Sequence, residues 1–179
     1  CIPGVPDTYQ GSELWQQSLV DPDNRRPVDY ALRRQYLAYL RSKLAERRAL
    51  AAELVDTYPD GRIKLYVTHL ALQLRRDKPD LFAQGEYVPL DAGPHAVAFM
   101  RTLADDRVLC VVPRFSRKVA NDAQAFAMGK AWADHAVKGV DPGRYRNVFT
   151  DEVAQITGKL ALSAAFADFP VALFVREPT

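Results

Sequence analysis

The amino-acid sequence predicts an α+β fold, with helices in the first half and an antiparallel β-sandwich in the second. Apolar residues recur at helical spacing between Tyr30 and Arg76, and after Gly85 the chain breaks into short runs rich in β-branched and aromatic residues separated by turn formers. No helical pattern separates those runs, which argues for antiparallel strands over a parallel sheet with crossover helices.

The first 29 residues carry no steady period. Cys1-Ile2-Pro3 reads as the tail of a short apolar strand, and Pro3, Gly4, Pro6 and Gly11 then hold the backbone out of regular structure. From Tyr30 to Tyr58 the apolar positions Leu37, Leu40, Leu44, Ala51, Leu54 and Val55 alternate with Arg33, Arg34, Arg41, Lys43, Arg47 and Arg48. That spacing predicts an amphipathic helix or a broken pair, begun at Pro27 or Asp29 and stopped by Tyr58-Pro59-Asp60-Gly61, with the arginines forming a solvated or docking face. From Arg62 to Arg76 the residues Ile63, Leu65, Tyr66, Val67, Leu70, Leu72 and Leu74 leave almost no polar face, so this helix should be enclosed on most sides until Lys78-Pro79-Asp80 ends it.

Beyond Gly85 the strand candidates are Glu86 to Leu90, Ala96 to Leu103, Arg107 to Arg114, Arg146 to Thr150, Lys159 to Phe166 and Val171 to Arg176. Ala104-Asp105-Asp106 and Thr157-Gly158 read as hairpin turns. Ser116 to Pro142 reads as mostly loop, with a short strand near Trp132 or Val137. Phe99, Phe166 and Phe174 fall inside apolar runs and belong to the core.

Composition narrows the function classes. Hydrophobic residues make up 48% and charged residues 26% of the 179, with a formal net charge of +2, so nothing points to nucleic acid or an anionic membrane surface. No apolar run approaches the roughly 20 residues of a membrane span. Two cysteines make no disulfide framework; Cys110, inside Val108 to Val112, reads as a buried free thiol compatible with a reducing cytoplasm. His69, His95 and His135 are scattered, so no metal site is expected, and His69 reads as a satisfied residue of a buried helix. No catalytic Ser, His and Asp set, phosphate loop or paired-Cys motif is present, and no cofactor is implied.

The chemistry concentrates in Pro3 to Tyr30. Tyr9 and Trp15 offer flat apolar faces, while Asp7, Gln10, Glu13, Asp23, Asn24, Arg25 and Arg26 offer directional hydrogen-bonding groups. A pyranose needs both, because one face of its ring is apolar and its edge is a fringe of hydroxyls that carboxylates, amides and guanidiniums hold in place.

The strings VPDTYQGSE and LVDPDNRRPVDY resemble the end of the catalytic barrel in maltooligosyltrehalose synthases, members of the α-amylase superfamily that rearrange the reducing end of α-1,4-glucans into a trehalose unit. GRIKLYVTHLALQLRRDKPDLFAQGEYVPL is similar to that family's last barrel helix and its exit into the C-terminal domain, and FPVALF to its closing strand. The resemblance implies that residues 1–84 are the last strand and helices of a (β/α)8 barrel and residues 85–179 a C-terminal β-sandwich domain. Since such a barrel takes about 250 residues, the chain is expected to be a C-terminal fragment.

What the family does is therefore an implication for the parent. The resemblance implies a glycoside-hydrolase-type isomerase of carbohydrate metabolism, active in trehalose biosynthesis, whose nucleophilic Asp, acid/base Glu and transition-state-stabilising Asp follow earlier strands. None of those catalytic residues lies in this chain, whose expected partners are the α-glucan substrate and the remainder of the same polypeptide. In a barrel, the loop after strand eight lies at the catalytic rim, so Tyr9, Gln10, Glu13, Asp23, Asn24, Arg25 and Arg26 are the expected substrate-binding residues. Other readings of the same residues are a non-catalytic glycan-binding or structural module, a part of another α-glucan hydrolase or transglycosylase, and, for the DNRR stretch, a solvated surface turn.

Overall fold

The structure, a computed structural model, describes residues 1–17, 25–120 and 125–178. Helix α1 (Tyr30–Ser42) begins where Asp29 accepts a hydrogen bond from the Leu32 N–H through Oδ1 at 2.9 Å, satisfying one of the donors that a helix start leaves open. A 3-10 turn at Leu44–Glu46 separates it from α2 (Arg47–Asp56), so the amphipathic stretch is a broken pair. A second 3-10 turn at Tyr58–Asp60 ends in Gly61, which adopts φ +83°. A Cβ there would also lie 3.1 Å from the Trp15 backbone nitrogen, so glycine is required both by conformation and by close approach.

Helix α3 (Arg62–Asp77) buries Ile63, Leu65, Tyr66 and Leu70, leaving Leu72 as its most exposed large apolar side chain, as its almost unbroken apolar run predicts. Lys78-Pro79-Asp80 ends α3 but not the helical region. Pro79, whose missing N–H is harmless in a first turn, opens the short α4 (Pro79–Gln84).

Among the described residues the strands are β1 (Glu86–Leu90), β2 (Ala96–Leu103), β3 (Asp106–Pro113), β4 (Ala136–Lys138), β5 (Gly143–Asn147), β6 (Val153–Ile156), β7 (Lys159–Ala161) and β8 (Ala172–Arg176). Six form one antiparallel sheet in the order β1-β2-β3-β8-β5-β6, and β4 and β7 form a separate antiparallel pair. Period-two alternation sends the sheet's side chains into two cores. Ala98, Met100, Leu109, Val111, Tyr145 and Phe174 pack with Val137 of β4, Leu160 of β7, Trp132 and Phe166. Val108, Phe149 and Leu173 pack instead with Leu40, Leu54, Tyr66, Leu81 and Phe82 of the helices. The second layer of the expected sandwich is thus only a two-stranded ribbon supplemented by α5 (Leu162–Ala165), and the opposite face of the large sheet is covered by helices.

Several boundaries move. Lys159 to Phe166 is strand only to Ala161 before turning into α5, whose Leu162 and Ala165 are buried. The strand placed at Arg146 to Thr150 runs from Gly143 to Asn147, and Val153–Ile156 is a strand that the sequence pattern did not mark. Thr157-Gly158 turns the chain between two different sheets, so it closes no hairpin. Cys1-Ile2-Pro3 is not a strand; the Cys1 carbonyl accepts a hydrogen bond from Arg101 at 3.3 Å.

Helices and sheet are joined by specific bonds as well as by apolar contact. Tyr66 of α3 donates its hydroxyl to the Phe149 carbonyl at 2.6 Å, and its burial pushes that hydroxyl up to about 12. At the α4 to β1 junction Arg101, 1% exposed, donates through one nitrogen to the carbonyls of Leu81, Phe82 and Gly85 at 3.2, 3.0 and 2.8 Å.

Gly85 is where that junction admits no side chain. An added Cβ would sit 2.2 Å from the Leu81 carbonyl oxygen and 3.1 Å from that of Thr102. Gly85→Ala should therefore destabilise by about 3 kcal/mol or more, at the top of the range for single substitutions. Gly93→Ala, at φ +73° with nothing within 4 Å, should lose only about 1 kcal/mol from its left-handed backbone. Urea midpoints of the two variants check both, and equal losses would mean that the junction yields.

Candidate functional site

The turn at Tyr9 to Glu13 closes through the Ser12 N–H, which donates to the Tyr9 carbonyl at 3.1 Å, and through Gly11 at φ +86°. One arginine then fixes it from α1. Arg33 donates to the Gly11 carbonyl at 2.7 Å, to Glu13 Oε2 at 2.9 Å and to the Asp29 carbonyl at 3.0 Å. The Arg33–Glu13 pair is largely shielded, with side chains 17% and 26% exposed, so its planar fork is a directional clamp. The Tyr30 hydroxyl, donating to Gln10 Oε1 at 3.3 Å, adds a second link between the turn and the start of α1.

The next residues anchor the turn to α3. Leu14 is buried in the helical core, whereas Trp15 leaves 47% of its surface exposed. The Trp15 indole N–H donates to the Tyr58 carbonyl at 2.6 Å, and the Lys64 ammonium stands 5.9 Å from the ring centroid while donating to the Leu14 carbonyl at 3.2 Å. Trp15 also walls an apolar cavity of about 280 Å³ with Ile63, Val67, Phe126, Phe169 and Val171.

Of the expected substrate-binding residues, Tyr9, Gln10 and Glu13 stand on this one turn, with Tyr9 52% exposed and Gln10 and Glu13 already bonded to Tyr30 and Arg33. Arg25 and Arg26 are exposed. Asp23 and Asn24 lie outside the described residues. Arg33 is the participant that sequence reasoning left on a solvated or docking face; its partners lie 20 and 22 residues upstream, beyond any helical period. Arg47, which donates to the Val148 carbonyl at 3.0 Å, and Arg48, which pairs with Glu152, leave the solvated face and meet this chain's own sheet half.

Arg48 crosses a polar cleft of about 650 Å³ between α2 and the chain around β6, reaching Glu152 at 3.3 Å and Asp168 at 3.2 Å. Burial, then a hydrogen bond and repulsion from Asp168, raise the Glu152 carboxyl above its ordinary 4.5, opposed by Arg48 and Thr150. Among the described residues this cleft has no aromatic wall. The N-terminal turn, by contrast, exposes Tyr9, Trp15 and Tyr30 by 52, 47 and 46%, which gives it the flat apolar faces that a sugar ring uses.

The histidines depart from expectation. His95 and His135 are neighbours, with ring centroids 5.9 Å apart, because the turn before β4 folds back beside the start of β2. Their Nδ1 atoms and Nε2 of His69 are buried with no hydrogen-bond partner among the described residues, so His69 is not satisfied. Among the described residues no three His, Cys, Asp or Glu side chains gather to hold a metal, and no helix is long and apolar enough to cross a membrane.

No family model matches the chain. Over 98% of its length it is 39% identical to a protein of Mycobacterium tuberculosis named "Putative maltooligosyl trehalose synthase", found in strains CDC 1551 / Oshkosh and H37Rv. It is similar over 98% of its length to a crystal structure of maltooligosyl trehalose synthase, with a TM-score of 0.63 and 26% identity. Over 97% of its length it is similar to the crystal structure of a Sulfolobus tokodaii "hypothetical maltooligosyl trehalose synthase", with a TM-score of 0.58 and 28% identity. The resemblance read from the sequence is thereby borne out along nearly the whole chain. The chain spans 19% of the length of the M. tuberculosis proteins and 20 and 18% of the two solved chains.

The raised Glu152 carboxyl ties the stability of this cleft to pH. Because its pKa is raised in the folded state, its ionisation weakens the fold as pH rises above 4.5, and the penalty is complete above the folded-state value. Glu152→Gln should therefore match or exceed the unmodified chain in stability at about pH 7 and lose that advantage by about pH 3, where the carboxyl is protonated in both states. Urea midpoints at both pH values read this out; a variant weakened only at the higher pH would mean that pairing with Arg48 outweighs burial.

Proposed function

We propose that the chain is the C-terminal part of a maltooligosyltrehalose synthase, an enzyme that converts the reducing-end α-1,4 linkage of a maltooligosaccharide to an α,α-1,1 linkage by intramolecular transglucosylation. The observation that supports this most is the 39% identity to a protein of that name over 98% of the chain. In this reading residues 1–84 end the catalytic barrel of an α-amylase-superfamily enzyme, residues 85–179 form its C-terminal domain, and the whole acts in the cytoplasm. Bonds such as Tyr66 to Phe149 and Arg101 to Leu81 then fix the domain against the barrel's last helices.

A retaining glycoside enzyme passes through a covalent glycosyl intermediate formed by one carboxylate and released with the help of another. Both carboxylates belong, in this reading, to the part of the enzyme ahead of Cys1. Attack by water on the intermediate gives hydrolysis, whereas attack by the anomeric hydroxyl of the released glucose gives the α,α-1,1 bond. What separates the two outcomes is retention and reorientation of that glucose away from water.

The N-terminal turn is suited to the retaining task. Tyr9 presents an exposed ring as a platform, and Arg25 and Arg26, with Asp23 and Asn24, hold the sugar's hydroxyls. Gln10 and Glu13 keep the platform in place through Tyr30 and Arg33, and their remaining lone pairs are available to the sugar.

Two measurements test this reading. The chain by itself should neither isomerise nor hydrolyse maltooligosaccharides, while the full-length protein given maltopentaose should form a non-reducing product. In the full-length protein, Arg25→Ala or Arg26→Ala should lower kcat/KM about tenfold to hundredfold, the equivalent of a hydrogen bond to a charged group. The same variant should release more free glucose per non-reducing product. Unchanged product ratios in both variants, at unchanged stability, would return the DNRR stretch to a solvated turn.

A further inference from the structure

Two guanidiniums meet where the start of the chain crosses the junction of α3, α4 and β2, and among the described residues neither has a carboxylate partner. Arg101 is 1% exposed and, among the described residues, bonded to carbonyls, including that of Cys1 at 3.3 Å. Arg75, in the last turn of α3, donates to the Gly4 carbonyl at 3.3 Å. Both stand over the ring of Phe82, with guanidinium carbons 5.1 and 5.8 Å from its centroid. Each keeps one buried nitrogen without an acceptor among the described residues: Nη1 of Arg75 and Nε of Arg101. Burial first, then the Arg75 charge, push the Arg101 pKa down, so the two cations act on each other.

Carbonyl dipoles satisfy hydrogen bonds but leave the buried Arg101 charge uncompensated, with the partly exposed Arg75 charge beside it. Arginine is almost never fully buried without a paired charge, because an unpaired ion loses its hydration and gains nothing of equal size. We infer that Arg75 and Arg101 form a carboxylate-binding site whose occupant is an Asp or Glu side chain of the polypeptide ahead of Cys1 in the full-length protein. The inference rests on the reading of the chain as part of a longer enzyme. Position selects the occupant: the two arginines already hold the carbonyls of Cys1 and Gly4, so the residues just upstream are those delivered to the vacant N–H groups. A planar carboxylate can accept from both at once and supply the missing negative charge.

The test is a double-mutant cycle in the full-length protein. Each Asp and Glu in the roughly ten residues ahead of Cys1, a span of at most about 35 Å when extended, is changed to its amide, alone and together with Arg75→Gln. Arg75 is chosen because Arg101→Gln would also strand the carbonyls of Leu81, Phe82 and Gly85. One amide variant should raise the unfolding equilibrium constant about ten- to hundredfold, the size of a hydrogen bond between charged groups. That increase should largely vanish in the Arg75→Gln background. Absence of any acidic residue in that span, or amide effects that are the same with and without Arg75, overturns the inference. Failure of the full-length protein to convert maltopentaose instead refutes the functional reading while leaving the cycle interpretable.

Discussion

The guanidinium of Arg101 fixes the geometry on which both halves of the chain depend. It projects from a central position of β2, is almost wholly buried, and gathers the carbonyls of Leu81, Phe82 and Gly85 within 3.2 Å. Those carbonyls include that of Phe82 in the last turn of α4, and a buried acceptor left unpaired costs about 1–3 kcal/mol. A single side chain thus ties the end of the helical region to the large sheet just ahead of β1. Gly85 belongs to the same constraint, since the helix end and β2 approach so closely there that no Cβ fits.

From that junction the rest of the architecture follows. The sheet face that carries Arg101 also carries Val108 and Leu173 into the helical core, and the opposite face carries Met100, Leu109 and Phe174 into the core beneath the β4-β7 pair. The side chains of α2 that appear solvated along the sequence are drawn into the same interface: Arg47 reaches the Val148 carbonyl, and Arg48 reaches the carboxylates of Glu152 and Asp168. The helices therefore meet the sheet through apolar burial at the centre and through charged, partly solvated bonds at the rim, where each contributes less.

The N-terminal turn divides its neighbourhood between groups that hold the backbone and groups that face outward. Arg33 and Tyr30 engage the backbone and side chains on the inner side of the turn, and Lys64 and Tyr58 secure the chain at Leu14 and Trp15. With those contacts made, Tyr9 and Trp15 stand outward with about half their surface exposed. Because the backbone that carries these two rings is already fixed, less ordering of the turn is left to be paid for in any contact they make.

Local patterns determined much of this chain. Asp29 at the start of α1, the apolar run of α3, the limits of β1 and β2 and the turn between β2 and β3 all follow from residues within one or two turns of each other. The concentration of aromatics, carboxylates and arginines before Tyr30 marked the candidate site, and the resemblance it carries is matched by relatives along nearly the whole chain. Tertiary structure decided what depends on partners distant in sequence: the helix at Leu162 in place of a longer strand, the two-stranded second layer, the meeting of His95 with His135, and the engagement of Arg33 with Gly11 and Glu13. The physical reason is that periodicity reports which face of an element is apolar, whereas a guanidinium or an imidazole acquires its role only when folding brings acceptors and charges from elsewhere within about 3 Å of it.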